Sequence, residues 1–446
     1  MKKLFGTDGI RGKAGDFPLD KQTIATIGRS LTELCRERLD RAPRFVTGRD
    51  TRESGEWIEK AFHAGALSAG AEVCSAGVIT TPGVAFVTGH DNFDGGIVIS
   101  ASHNPFDDNG LKIFNPSGKK AHEGTEREIE KEIYANPVAD VANAEPDVSR
   151  IDEFRADYLR HLEGGFAGLD LAGKRIVVDC ANGAASSFAP SLFEHFGAEV
   201  IAIHNTPDGR NINRDCGSLH LEHLQDRVAA EKADMGVAFD GDADRSLFVN
   251  DRGELVDGDG VLWVMARYLK AHGGLESNKV IATVMSNVGL ELALKAEGIE
   301  LVRTAVGDKY VLDELLTSGA ELGGEQSGHV IFPRKSLVGD GMLTALYLFQ
   351  AVNELGGTLS KAAEGFARYP QILINVHVRE KLPFDEVDAI RSAAADVESK
   401  LNGSGRLLLR YSGTENLARV MIEGKDQAEI DSLANGLAHV IRQQLA

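Results

Sequence analysis

Cysteine is scarce in this 446-residue chain. There are four, Cys35, Cys74, Cys180 and Cys216, and no two form a C-x-x-C pair. Neither a zinc ribbon nor a thioredoxin-type redox motif is therefore signalled. Positive charge is also in deficit: 48 Lys and Arg face 67 Asp and Glu, for a formal net charge of −19. A sequence-independent grip on nucleic acid needs clustered cations against phosphates, so that partner class is excluded. An anionic small substrate would need a local basic island in an acidic protein. No apolar run approaches the roughly 18 residues of a membrane span. The basic opening Met1-Lys2-Lys3 is not followed by the apolar segment of a signal peptide. These absences predict a reduced, cytoplasmic, soluble protein.

What is present is ordinary globular composition, 43% hydrophobic and 26% charged, which excludes a disordered chain, a collagen and a coiled coil. Single cores rarely exceed about 250–300 residues, so several domains are expected. The dominant rhythm is apolar strand, loop, amphipathic helix. Asp20 can cap a helix with an apolar stripe at Ile24, Ile27, Leu31, Leu34, Cys35 and Leu39. Trp57, Ile58, Phe62 and Leu67 line a second helix stopped at Gly70. Strands are expected at 45–46, 73 and 97–99. The rhythm restarts near Arg175 and again at Lys279, while the polar stretch 136–149 reads as a boundary. The glutamate-rich run 125–132 reads as a solvated helix face. The tail, with strands near 372–378, 407–409 and 417–422, reads as α+β. The predicted fold is α/β: three similar α/β domains with mixed sheets and a smaller C-terminal α+β domain, with boundaries 1–150, 151–255, 256–367 and 368–446.

Four loops carry candidate chemistry. Ser100-Ala101-Ser102-His103-Asn104-Pro105 follows an apolar strand, where α/β proteins expose ligand-binding groups. Lys112 lies close behind it. Asp240-Gly241-Asp242-Ala243-Asp244-Arg245 joins two strands. In an extended segment its three Asp would fall on one side, and crowded carboxylates are relieved by a hard cation. An EF-hand fails here, because Arg245 replaces its turn glycine and Asp251 its closing Glu. Gly323 to His329 offers Glu325, Gln326, Ser327 and His329, groups that bond sugar hydroxyls. Arg410 to Asn416 offers Arg410, Ser412, Gly413 and Thr414 as a phosphate cradle. The opening Thr7-Asp8-Gly9-Ile10-Arg11 adds Arg11.

As a set, and in this order along the whole chain, the loops resemble the α-D-phosphohexomutase superfamily. The opening Phe5 to Gly12 and the loop Gly324 to His329 are most similar to members acting on amino-sugar phosphates. The resemblance implies four domains around a central cleft. It implies interconversion of glucosamine 6-phosphate and glucosamine 1-phosphate through a phosphoserine enzyme and a 1,6-bisphosphate, feeding UDP-N-acetylglucosamine synthesis; glucose- or mannose-type mutases with the same mechanism are the alternative. It implies phosphorylation of Ser102, and one Mg2+ per chain on Asp240, Asp242, Asp244 and a phosphate oxygen on Ser102. The partner is a small phosphosugar, with a homodimer as the assembly it admits.

Charge arithmetic then asks for cations. Three Asp and a phosphoserine of about −1.5 to −2 leave roughly −3 after one Mg2+. Arg245, Lys112 and Arg11 are the candidates: Arg245 for the Ser-bound phosphate, Lys112 and Arg11 for the sugar oxygen. Lys112 and His103 are both open as proton carriers.

Overall fold

The computed structural model describes residues 3–141, 144–412 and 416–446. The chain divides into two compact units, Met1–Thr283 with Val302–Ala363, and Val284–Leu301 with Glu364–Ala446.

The first unit opens with β1 (Ile10–Lys13), β2 (Arg44–Arg49), β3 (Glu72–Val78), β4 (Gly95–Ile99) and β5 (Asp108–Phe114) in the order β1-β5-β4-β2-β3. The second sheet holds β6 (Arg175–Asp179), β7 (Glu199–Ile203), β8 (Met235–Phe239), β9 (Ser246–Val249) and β10 (Leu255–Val256), ordered β10-β9-β8-β6-β7. Both are mixed in the same way. β2 is parallel to β3 and β4 while β5 turns back against β4; β6 is parallel to β7 and β8 while β9 turns back against β8. The strands that follow are β11 (Lys279–Thr283), β12 (Glu300–Thr304), β13 (Gly323–Gly324) and β14 (Val330–Ile331). There β11 is parallel to β13, and β14 returns antiparallel to it.

This repeat positions the candidate site. β4, β8 and β13 hold equivalent places, and each runs at its carboxyl end into one of the predicted loops: Ser100–Pro105, Asp240–Arg245 and Glu325–His329. Parallel α/β sheets bind ligands at that end. β4 and β8 are buried at every residue, as expected for apolar strands covered on both faces.

Local chemistry accounts for the helix ends. Asp20 accepts from Thr23 N at 3.0 Å and starts Lys21–Arg36. That helix ends at Arg36, so Leu39 lies beyond the stripe predicted for it. Gly70 follows the helix Gly55–Ser68 with φ +86°, a backbone that favours glycine; Leu67 on that helix faces outward rather than inward. The glutamate-rich run lies on the helix Glu123–Ala135, whose buried side is Ile129 and Ile133. Its acids are not all solvated: Glu130 accepts from Leu4 N and Phe5 N at 2.7 and 2.8 Å and pins the N-terminal segment.

The second unit is an open sheet, β15 (Gln371–His377), β17 (Leu417–Glu423) and β16 (Arg406–Tyr411), antiparallel throughout. The helices Asp388–Leu401 and Gln427–Leu445 close its core through Ile390, Val397, Ile430 and Ile441.

Candidate functional site

Ser102 stands at φ +52°, in the left-handed region, where a residue with a Cβ costs about 1–2 kcal/mol. Its N–H donates to Ser100 Oγ at 2.9 Å, and its hydroxyl donates to Asp240 Oδ2 at 2.5 Å. The expected exposure of this serine is corrected: its relative exposure is 1%, with Asp240 and His103 against its hydroxyl. His103 Nδ1 is 3.2 Å from Ser102 Oγ and 3.2 Å from an Arg245 guanidinium nitrogen. A guanidinium only donates, so His103 Nδ1 accepts and the ring is neutral. Burial, then the charges of Arg245 and Arg11, push this imidazole down to about 4.

Asp240, Asp242 and Asp244 are buried, and one oxygen of each lies within 4.8 Å of the others. The extended segment expected to bring them together is absent. They converge through a tight turn closed by Ala243 N–H on Asp240 O at 3.1 Å, with Ala243 at φ +56°. Thr81 fixes the middle carboxylate, its hydroxyl donating to Asp242 Oδ2 at 2.5 Å. Burial, then Asp244 and Asp242, push the Asp240 carboxyl well up. Burial also opposes charge on Asp244, but Lys112, His329 and Arg245 outweigh it and hold that carboxyl well down. Among the described residues no group hydrogen-bonds Oδ1 of Asp242 or of Asp244. Buried carboxylate oxygens left open are hard donors that suit a divalent cation such as Mg2+.

Lys112, on β5, reaches this cluster from below. Its Nζ is 2.9 Å from Asp242, 3.1 Å from Asp244 and 3.1 Å from Asp8. Burial disfavours the ammonium, yet the three carboxylates outweigh it and keep it firmly charged. Asp8 itself is paired with Lys112, Lys120 and Arg11, which overcome burial and hold it far below the usual carboxylate range.

Beside Asp244 opens a cavity of about 300 Å³. Arg11, Asp244, Arg245, Glu325, Ser327 and His329 line it, with Thr7, Asp8 and the backbone near Gly307. Glu325 accepts from Gly307 N at 3.2 Å. Ser327 Oγ is buried, and among the described residues nothing hydrogen-bonds it. His329 Nε2 accepts from Gly339 N at 3.0 Å, which leaves Nδ1–H toward Asp244, 3.8 Å away. Gln326, counted among the sugar-facing groups, instead donates to Asp257 Oδ2 at 3.2 Å, at the N-cap of the helix Gly258–Ala271.

In the second unit, Arg410 on β16 lies in register with Arg419 on β17. Burial, then the Arg419 charge, push Arg410 down. Arg419 lies 3.5 Å from Ser412 Oγ, and Lys381 Nζ donates to Ser412 O at 2.7 Å. Gly413 and Thr414 lie outside the described residues.

The first unit thus gathers Arg11, Ser102, His103, Lys112, the three Asp, Arg245, Glu325, Ser327 and His329; Arg410 and Ser412 belong to the second. Several residues were not anticipated. Asp8 was passed over beside Arg11, although a carboxylate next to three cations was the missing counter-charge. Asp308 pairs with Lys120 at 2.5 Å across the cavity wall. Arg419 could have been found by pairing the tail strands as a hairpin, which sets it opposite Arg410.

Models of the phosphoglucomutase/phosphomannomutase family match nearly the whole chain: α/β/α domain I over residues 2–138, domain II over 156–253, domain III over 257–369 and the C-terminal domain over 373–440. The chain is 49% identical over 444 residues to a phosphoglucosamine mutase of Solibacter usitatus, covering 100% of this chain and 99% of that one. It is 47% identical to one from Symbiobacterium thermophilum, covering both chains in full. A solved phosphoglucomutase/phosphomannomutase family protein of Burkholderia thailandensis superposes with a TM-score of 0.79 at 25% identity, over 99% of this chain and 97% of that one.

Proposed function

The chain belongs to the phosphoglucosamine mutases of the α-D-phosphohexomutase superfamily, and from that membership we propose how its residues interconvert glucosamine 6-phosphate and glucosamine 1-phosphate. Phosphorylated Ser102 gives its phosphoryl group to one sugar hydroxyl, breaking the P–Oγ bond as the new P–O bond forms. The resulting 1,6-bisphosphate presents its other phosphate, whose bond to the sugar oxygen breaks as a P–Oγ bond re-forms on Ser102, and the freed sugar oxygen takes a proton to become the product hydroxyl. The observation that carries this reading is the Ser102 hydroxyl 2.5 Å from Asp240 Oδ2, at the edge of a buried carboxylate triad beside the cavity.

Phosphoryl transfer is mostly positioning and charge neutralisation. Asp240 takes the Ser102 proton when the hydroxyl is the acceptor. Arg245, next to His103, neutralises the phosphate carried on Ser102. Lys112, held charged by three carboxylates, balances the acidic cluster, while Arg11 meets the sugar end in the cavity. Asp240, Asp242 and Asp244, with an oxygen of the phosphoserine, would hold Mg2+, which when bound supplies Lewis-acid charge to the transferring phosphoryl oxygens. Glu325, Ser327 and His329 take the sugar hydroxyls, and Glu325 pairs with the 2-ammonium group. Arg410, Ser412, Gly413 and Thr414, joined by Arg419, hold the phosphate that is not being transferred.

The domain limits 1–150, 151–255, 256–367 and 368–446 belong to this proposal and are supported by the matched family intervals. So do the homodimer and the cytoplasm, where Cys35, Cys74, Cys180 and Cys216, all free, stay reduced. The test is intact-protein mass with mapping of the phosphorylated residue, alongside rates on glucosamine, glucose and mannose phosphates. Wild type carries one phosphate on Ser102 and prefers the amino sugar. Ser102→Ala loses both phosphate and turnover. Turnover in Ser102→Ala would overturn the serine's role; equal rates on all three sugars would favour a phosphoglucomutase/phosphomannomutase.

A further inference from the structure

The left-handed backbone of Ser102 needs support, and two side chains supply it. Asn213 Nδ2 donates to Ser102 O at 2.8 Å and to Asn104 O at 3.0 Å. Arg52 reaches the same two carbonyls from the other side, at 3.2 and 2.6 Å. Arg52 is fully buried and ion-paired with buried Asp50. Both turn carbonyls are therefore gripped twice, once from the loop after β2 and once from the long loop after β7.

The second grip has a construction of its own. Asn213 is at φ +56°, and its N–H donates to Ala181 O at 2.9 Å. Ala181 and Asn182, just after β6, are themselves left-handed, at φ +53° and +47°. Asn182 Nδ2 donates to Asn211 O at 3.3 Å, and Thr51 Oγ1, beside Arg52, donates to Asn182 O at 2.6 Å. A Cβ on Gly241 would come within 2.6 Å of Ser102 O and 3.0 Å of Asn213 Nδ2. The turn at Gly241, the carbonyl of Ser102 and the amide of Asn213 thus meet at one crowded point. Unsupported strain of this kind relaxes, and it persists where the surroundings over-determine it.

We propose that Asn213, acting with Arg52, is a positioning residue for phosphoryl transfer: its amide clamps the Ser102 and Asn104 carbonyls and so aims Ser102 Oγ at the Asp240 carboxylate. The inference rests on the reading of Ser102 as the phosphoryl carrier. Asn213 is not among the residues that line the cavity. Its loss therefore acts on the transfer step rather than on sugar-phosphate binding, and a misplacement of about 1 Å costs on the order of 10²-fold.

The experiment compares Asn213→Asp and Asn213→Gly with wild type, and includes Ser102→Ala. Asp keeps the size and the left-handed tendency but replaces the amide donor with an oxygen. Gly keeps the backbone conformation and removes the side chain altogether. Melting temperature, kcat, KM for glucosamine 6-phosphate and the rate of phosphoserine formation from glucose 1,6-bisphosphate are measured for each. In both variants kcat and phosphoserine formation are expected to fall about 10²-fold, with KM within about twofold of wild type. Wild-type kcat in either folded variant overturns the proposal, as does a loss carried by KM alone. Turnover in Ser102→Ala would instead remove the carrier reading itself, so the two failures are told apart.

Discussion

Lys112 offers the sharpest test of the electrostatics. Its ammonium is fully buried among Asp8, Asp242 and Asp244, at 3.1, 2.9 and 3.1 Å. Lys112→Met keeps most of the volume and removes only the charge. Asp8 retains Lys120 and Arg11 and Asp244 keeps Arg245 at 3.9 Å, but Asp242 loses the cation at 2.9 Å. Removing one partner of a buried pair costs about 3–5 kcal/mol, because the other charge stays behind. In chelator the variant should be destabilised by that amount, as read by denaturant unfolding. Magnesium should then restore stability, by about 2.7 kcal/mol at one hundred times its dissociation constant. A cation about 3 Å from two of the metal-facing carboxylates repels a second cation, and near a protein surface one unit charge at 4 Å is worth about 4 kcal/mol. The variant should therefore bind Mg2+ at least tenfold more tightly than wild type while losing turnover. Equal stability in chelator, together with an unshifted Mg2+ titration, would refute the role assigned to this lysine.

Three further expectations concern other parts of the molecule. Asp340 is buried, and burial raises it from 3.8 to about 6. A carboxyl raised on folding destabilises above its folded pKa, and the penalty disappears as pH falls through it. Asp340→Asn keeps the acceptor that caps the helix Gly341–Leu355 and turns its NH2 toward the Tyr158 hydroxyl, so its stability relative to wild type should rise by about 2–3 kcal/mol between pH 4 and pH 7.5; parallel stability–pH curves for the two proteins would contradict this. Glu325→Gln should cost glucosamine 6-phosphate about tenfold more in kcat/KM than glucose 6-phosphate, since only the amino sugar loses a charge-assisted bond, and equal losses would remove the ammonium contact. Arg410→Ala should raise KM about 10–100-fold while intact mass still finds phosphate on Ser102, and an unchanged KM would remove Arg410 from phosphate binding.

Local rules set much of this protein in advance. The apolar runs at Gly95–Ile99 and Met235–Phe239 could only be covered strands, and the turn-rich segments after them could only be loops. Asp20, Thr80 and Asp340 cap helices for reasons contained in a few neighbouring residues. Three Asp alternating with small residues marked a cluster of carboxylates that could hold a cation. Tertiary structure decided what depends on residues far apart in the chain. Ser102 is buried rather than exposed, its hydroxyl held against Asp240, 138 positions away in sequence. Lys112 holds its charge because Asp8, Asp242 and Asp244 are brought around it. Asn213 and Arg52 could not be read as partners of one turn, because hydrogen bonds to backbone carbonyls leave no mark in residue type or spacing. Periodicity and turn chemistry are local and survive in sequence; burial, charge compensation and backbone clamping are sums over distant neighbours, and those exist only once the chain has closed on itself.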